Sequence, residues 1–183
     1  LINNAGISGF SEFSRENPAA IDEIININIT APLLLTRAVL PAMLASGKGR
    51  IVNIGSIFGS IGFPHFAAYS ASKFALRGFS EALRRELADS GVGVTYVAPR
   101  TTRTTFNSEA QHQLSAANGA AIDEPATVAA IIIDAIDADR GDVYIGWPEK
   151  LAVRLNALLP GLVSAAIGKQ VIAARQLLRN PGT

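Results

Sequence analysis

Three residues in the stretch IVNIGSIFGSIGFPHFAAYSASK, Ile51 to Lys73, have the types and spacing for proton transfer: Ser56, Tyr69 and Lys73. Tyr69 and Lys73 stand four residues apart, so on a helix they stack on one face. Ser56 precedes the tyrosine by thirteen residues and closes the apolar run Ile51, Val52, Ile54. A free tyrosine titrates at about 10, too high for a general base at neutral pH. A lysine charge about 4–5 Å away favours phenolate by roughly 3–4 kcal/mol at an effective dielectric of about 20. That corresponds to about two to three pKa units. Desolvation opposes it, so a working value somewhat above ~7 is expected. Lys73 then tunes Tyr69 without reacting, and Ser56 donates a hydrogen bond to the reacting oxygen. Taken alone, a Tyr/Lys pair on a helix is more often a half-buried tyrosine beside a snorkelling lysine. The serine and its flanks argue for chemistry.

These side chains need a strand and a helix to hold them. Ile51, Val52 and Ile54, followed by Gly55–Ser56, read as a buried parallel strand that delivers a hydroxyl to a crevice at its carboxyl end. The spacing predicts a helix from near Phe66–Ala67 to about Asp89, burying Phe74, Leu76, Phe79, Leu83 and Leu87 and ending before Gly91. Val92 to Ala98 reads as another strand, stopped by Pro99. Upstream, turn formers make 7–17 a loop, and helical periodicity runs from Ala19 to about Ala45. Asn17 fits its N-cap and Pro18 its first position. Pro32 should kink that helix just past Asn28, turning the amide toward a buried water; the alternative is an Asn28 that satisfies a local carbonyl. Gly47-Lys48-Gly49-Arg50 reads as a solvated turn. Residues 105–122 are small and polar, with Asn118-Gly119 among them and His112 facing solvent. A helix from about Glu124 to Asp137 follows, with Asp123 as its cap, and then a strand from Asp142 to Gly146.

The chain has 183 residues, 49% of them hydrophobic, enough for one sizeable core. A net charge of +1 gives no argument for nucleic acid. The absence of cysteine excludes disulfides and cysteine-based catalysis in this chain and fits a reducing, cytoplasmic setting. No signal peptide, metal-ligand cluster or uninterrupted apolar run long enough for a bilayer is read from the sequence. The stretch from Glu149 to Thr183 is different in charge: net +4, through Lys150, Arg154, Lys169, Arg175 and Arg179, against −3 for the rest. Leu151, Leu155, Leu158 and Leu162 suggest two amphipathic helices broken at Pro160-Gly161. Three uses compete for them: packing on the domain or a sister subunit, peripheral membrane contact, and covering an apolar substrate.

Taken together, Asn3-Asn4-Ala5-Gly6, Asn28 in NITAP, Ser56, Tyr69-x-x-x-Lys73 and Ala98-Pro99 followed by Thr104 resemble, in order and spacing, the short-chain dehydrogenase/reductase family. The resemblance covers roughly residues 1–146. It implies an α/β fold, a Rossmann-like doubly wound parallel sheet. Residues 1–148 would then be the C-terminal part of an NAD(P)-binding catalytic domain, and 149–183 its helical extension. It makes Tyr69 the catalytic acid/base, Lys73 its pKa-lowering partner and a ligand of the nicotinamide ribose, and Ser56 the group orienting the carbonyl. Asn28 would support a water relay to Lys73. Asn4, Ala5 and Gly6 would lie along the cofactor, with Pro99, Thr102 and Thr104 on its nicotinamide side. It further implies NAD or NADP as cofactor, a small carbonyl or alcohol substrate, a homo-oligomer paired through the helix after Phe66, and a lid at 105–122. By the same pattern, roughly 75–85 residues with the glycine-rich phosphate turn and the NAD/NADP selector belong before residue 1.

The sequence departs from the family at Arg100, where glycine is usual. Arg100 and Arg103 either reach an acidic group or are salt-linked on the surface, and His65 either meets substrate or is exposed. A non-catalytic scaffold, or epimerisation or dehydration on the same fold, is the competing reading.

Overall fold

The computed structural model describes residues 1–117 and 119–168. Asn118 and the tail carrying Lys169, Arg175 and Arg179 lie outside the described residues. Four parallel strands form one sheet in sequential order: β1 (Ile2–Asn3), β2 (Gly49–Ile54), β3 (Val92–Ala98) and β4 (Asp142–Tyr144). Helices α1 (Pro18–Ile25) and α2 (Ala31–Ser46) cross from β1 to β2. Helix α3 (Ala67–Glu86) crosses to β3, and α4 (Glu109–Ala117) with α5 (Pro125–Asp137) crosses to β4. The pair α6 (Glu149–Leu158) and α7 (Pro160–Gly168) follows.

Neighbouring residues of β2 explain the two layers. Ile51 packs with Leu83, Leu87 and Val94 beneath α2 and α3, whereas Val52 packs with Val97, Val128 and Ala135 beneath α5. A strand buried on both faces reads as a continuous apolar run, as this one does. The sheet is therefore doubly wound, as expected.

The long helix at 18–46 differs in its bend. Asn17 caps it, accepting from the Ala19 amide at 3.0 Å, with Pro18 next. The interruption is a π-helical turn at Asn26–Thr30 that holds Asn28, a distortion frequent at functional positions. Pro32 sits in the first turn of α2, where no backbone donor is needed. Helices and π turn together span 29 residues, long and apolar enough by composition to cross a membrane, which corrects the expectation that no such stretch exists. Ile24, Asn28 and Thr36 are nevertheless buried, and both polar side chains are bonded within the domain, so this element packs as one of its layers.

Other boundaries also move. Helix α3 stops at Glu86, and Phe74 is 41% exposed where burial was expected. Strand β4 ends at Tyr144 because Gly146 enters the left-handed region at φ 106°. The segment 105–122 is partly helical: Ser108 and Gln111 exchange bonds in a capping box that opens α4. Leu114 on that helix is buried against Phe66 and Tyr69, and His112 is half-buried. Helix α5 is flanked by Glu124 with no side-chain cap, because Asp123 is engaged elsewhere. In the C-terminal pair Leu158 and Leu162 are 77% and 67% exposed, while Val153 is buried.

Candidate active site

Ser56 leaves β2 with extended backbone, and its hydroxyl accepts from the Phe58 amide at 3.1 Å. Beneath it lies Tyr96 of β3, fully buried. The Tyr96 hydroxyl donates to the Ser56 carbonyl at 3.2 Å and accepts from the Ser56 amide at 3.4 Å. A side chain at Gly55 or Gly59 would overlap this phenol, so both glycines are required by its close approach. Sequence reasoning missed Tyr96, because a tyrosine in an apolar strand reads as core.

Helix α3 brings Tyr69 and Lys73 to the same place, both buried. The Lys73 ammonium stands 5.7 Å from the centre of the Tyr69 ring and donates to the Ile54 carbonyl at 3.0 Å. The expected value somewhat above 7 for Tyr69 is overturned: burial pushes the phenol up to about 12, with the Ser56 hydrogen bond pulling back. Burial also brings Lys73 down to about 8. Desolvation of the buried phenol is the largest influence on it.

Asn28 is buried behind this pair. Its amide donates to the Ile7 carbonyl and the Ser72 hydroxyl and accepts from the Ile7 amide, at 2.9–3.0 Å. Ser72 in turn donates to the Tyr69 carbonyl at 2.7 Å. Asn3 donates to its register partner Asn53 at 2.7 Å, and Asn53 donates to Ser80 at 2.8 Å, tying β1, β2 and α3 into one polar ladder.

Ser56, Tyr69 and Lys73 line one cleft of about 1250 Å³. Asn4, Gly6, Pro99, Thr102 and Thr104 line it too; Ala5 is exposed and does not. His65 stands outside the lining, half-buried, at φ 66°, edge-on to Phe10. Arg100 and Arg103 are salt-linked. Arg100 grips both Asp123 oxygens at 2.8 and 3.0 Å and reaches Glu149 at 3.3 Å, while Arg103 meets Glu124 at 2.7 Å. The Asp123 hydrogen bonds hold the Arg100 guanidinium above its usual range.

The donor set fits a nicotinamide riboside. Lys73 has three protons, of which the bond to Ile54 uses one. A Cβ at Gly6 would come within 3.5 Å of the Lys73 ammonium, so glycine keeps the approach to that donor open.

Residues 1–115 match the family model for short chain dehydrogenase, and the chain belongs to that family. It is 38% identical to ketoacyl reductase HetN of Nostoc sp., over 79% of this chain and 50% of that protein. It is 35% identical to the putative oxidoreductase SadH of Mycobacterium tuberculosis, over 92% of this chain and 67% of that one. Among solved structures, 4-hydroxyisoleucine dehydrogenase complexed with NADH and succinate superposes with a TM-score of 0.72 at 29% identity, over 81% of this chain and 67% of that one. The chain spans about half the length of several curated relatives it matches, HetN among them.

Proposed function

We propose that this chain carries the catalytic half of an oxidoreductase that interconverts a carbonyl and an alcohol with NAD or NADP. The observation that supports this most is the meeting of Ser56, Tyr69 and Lys73 in one cleft, with the Lys73 ammonium 5.7 Å from the centre of the Tyr69 ring. A nicotinamide cofactor, which a solved relative binds as NADH, would supply the hydride in its reduced form and take it in its oxidised form. Lys73, Asn4, Gly6, Thr102 and Thr104 are the residues that would hold it. In the reducing direction Ser56 and Tyr69 hydrogen-bond the carbonyl oxygen, and Tyr69 gives up its proton as charge develops there. Burial favours the protonated phenol, which is the form this direction needs. Lys73 then reloads the phenol, with Asn28 supporting a water path.

Exposed Leu34, Leu35 and Leu44 on α2 and Phe74 on α3 offer apolar surface to a second copy of the chain, which favours a homo-oligomer. The test is consumption of NADH or NADPH with a panel of carbonyl compounds. Tyr69→Phe should lower turnover by about 10²–10⁴-fold while cofactor affinity stays within a factor of two. Equal turnover by the variant would end this mechanism.

A further inference from the structure

We propose that the substrate bears an extended apolar chain, seated in a channel that runs from Tyr69 to α6 and α7. The assignment of the reacting group rests on the oxidoreductase reading; the assignment of the chain stands on the channel itself.

The cleft does not end at the proton-transfer groups. Past Ser56 its lining takes in Ile57 and Ile61 and, from α6 and α7, Ala152, Val163, Ala166 and Ile167. Ile57 and Ile61 belong to a buried cluster with Tyr96, Ala98 and Val153, and Ala152, Val163 and Ile167 pack against it. The floor of the channel is thus continuous with the core. Around the reacting end the wall is aromatic: the Phe58, Phe66 and Phe106 rings stand 6.1–6.4 Å from that of Tyr69. Leu155, Leu162 and Trp147 reach the outer end, exposed by 41, 67 and 68%. Apolar surface therefore extends from the chemistry to the mouth.

Charge separates this occupant from an anionic one. Among the described residues, Lys73, Arg100 and Glu149 are the charged side chains in the lining. Lys73 is bonded to the Ile54 carbonyl beside Tyr69, and Arg100 is neutralised by Asp123 and Glu149. A phosphate or carboxylate deep in the channel would lose its water without gaining a cation, whereas a hydrocarbon chain loses nothing there.

The experiment uses the intact protein with NADH and NADPH in turn and straight-chain methyl ketones from butanone to dodecanone. A seated chain predicts that kcat/KM climbs about three- to fourfold per methylene before levelling off. Ala166→Trp should cut the long-to-short ratio of kcat/KM by about tenfold or more. A readout free of turnover is the emission of Trp147 on titration with primary alcohols, taken as the part lost in Trp147→Phe. Its midpoint should fall by the same factor per methylene. Turnover with a flat series and a flat Trp147 response would overturn the channel and leave the oxidoreductase reading standing. A Trp147 response that tightens with chain length, without turnover of any carbonyl, would keep the channel and remove that reading. Flat series together with a stronger response after deletion of 169–183 would give the channel to the chain's own tail and likewise overturn the proposal.

Discussion

The cleft has two walls of different make. The wall from β2 and α3 is buried and held mainly by neutral hydrogen bonds at short range, Ser56 to Phe58 and Tyr96 and Asn3 to Asn53, with the charged Lys73 donating to Ile54. The wall built after Pro99 is held by ion pairs and apolar contact. Its central residue, Arg100, joins three segments through Asp123, Glu149 and the Trp147 carbonyl, with the carboxylates only 14 and 21% exposed. Buried neutral bonds fix atoms and are indifferent to salt, whereas partly exposed ion pairs hold a shape that ionic strength loosens. The first wall therefore suits chemistry that needs fixed geometry, and the second suits admission of substrate.

Lys73→Met tests the first wall hardest. Turnover should fall on the order of 10²-fold or more, yet the protein should become more stable. The folded-state pKa of Lys73 is lowered to about 8, so between there and its ordinary value the unfolded state binds more protons and stability rises with pH. At neutral pH the folded protein carries the full cost of a buried charge, up to about 3 kcal/mol, that methionine removes. Thermal melts at pH 7 read this directly; a lower Tm would contradict it.

The same titration limits the working range. Carbonyl reduction should be level around neutral pH and decline toward about tenfold per unit above the Lys73 value of about 8, as the ammonium proposed to reload Tyr69 is lost. A rate profile that stays flat to pH ~10 would separate Lys73 from the proton path.

Tyr96→Phe removes the hydroxyl that brackets Ser56 while keeping the ring under Gly55 and Gly59. The expected loss is about tenfold in kcat, with KM within a factor of two, because the serine is displaced and the cleft keeps its shape. Equal changes in both constants would mean that Tyr96 only supports the fold.

Arg100→Gln gives the smallest effect and tests the second wall: a rise in substrate KM of about threefold with kcat nearly unchanged, and a loss of about 1 kcal/mol, or 2–4 °C in Tm. High salt should raise KM in the unaltered protein and do little in the variant.

The first wall was largely legible in the sequence and the second was not. Strand β2, helix α3 and the pairing of Tyr69 with Lys73 follow from a short apolar run and a four-residue spacing, and the resemblance to the family added Ser56 to them. Helix α4 could have been read from Ser108-x-x-Gln111, yet the polar composition around it suggested only a loop. Phe74 misled because a large apolar side chain on a helix is assigned inward unless the neighbouring elements are known. Arg100 and Asp123 find each other across twenty-three residues, and no local pattern announces that pairing.

By itself the sequence determined which groups share a helix face, since backbone periodicity is a local property. The tertiary structure alone decided that Tyr96 would stand under Ser56, and that burial would dominate the state of Tyr69. Both depend on how many atoms from distant segments replace water around one side chain, a quantity that spacing along the chain does not contain.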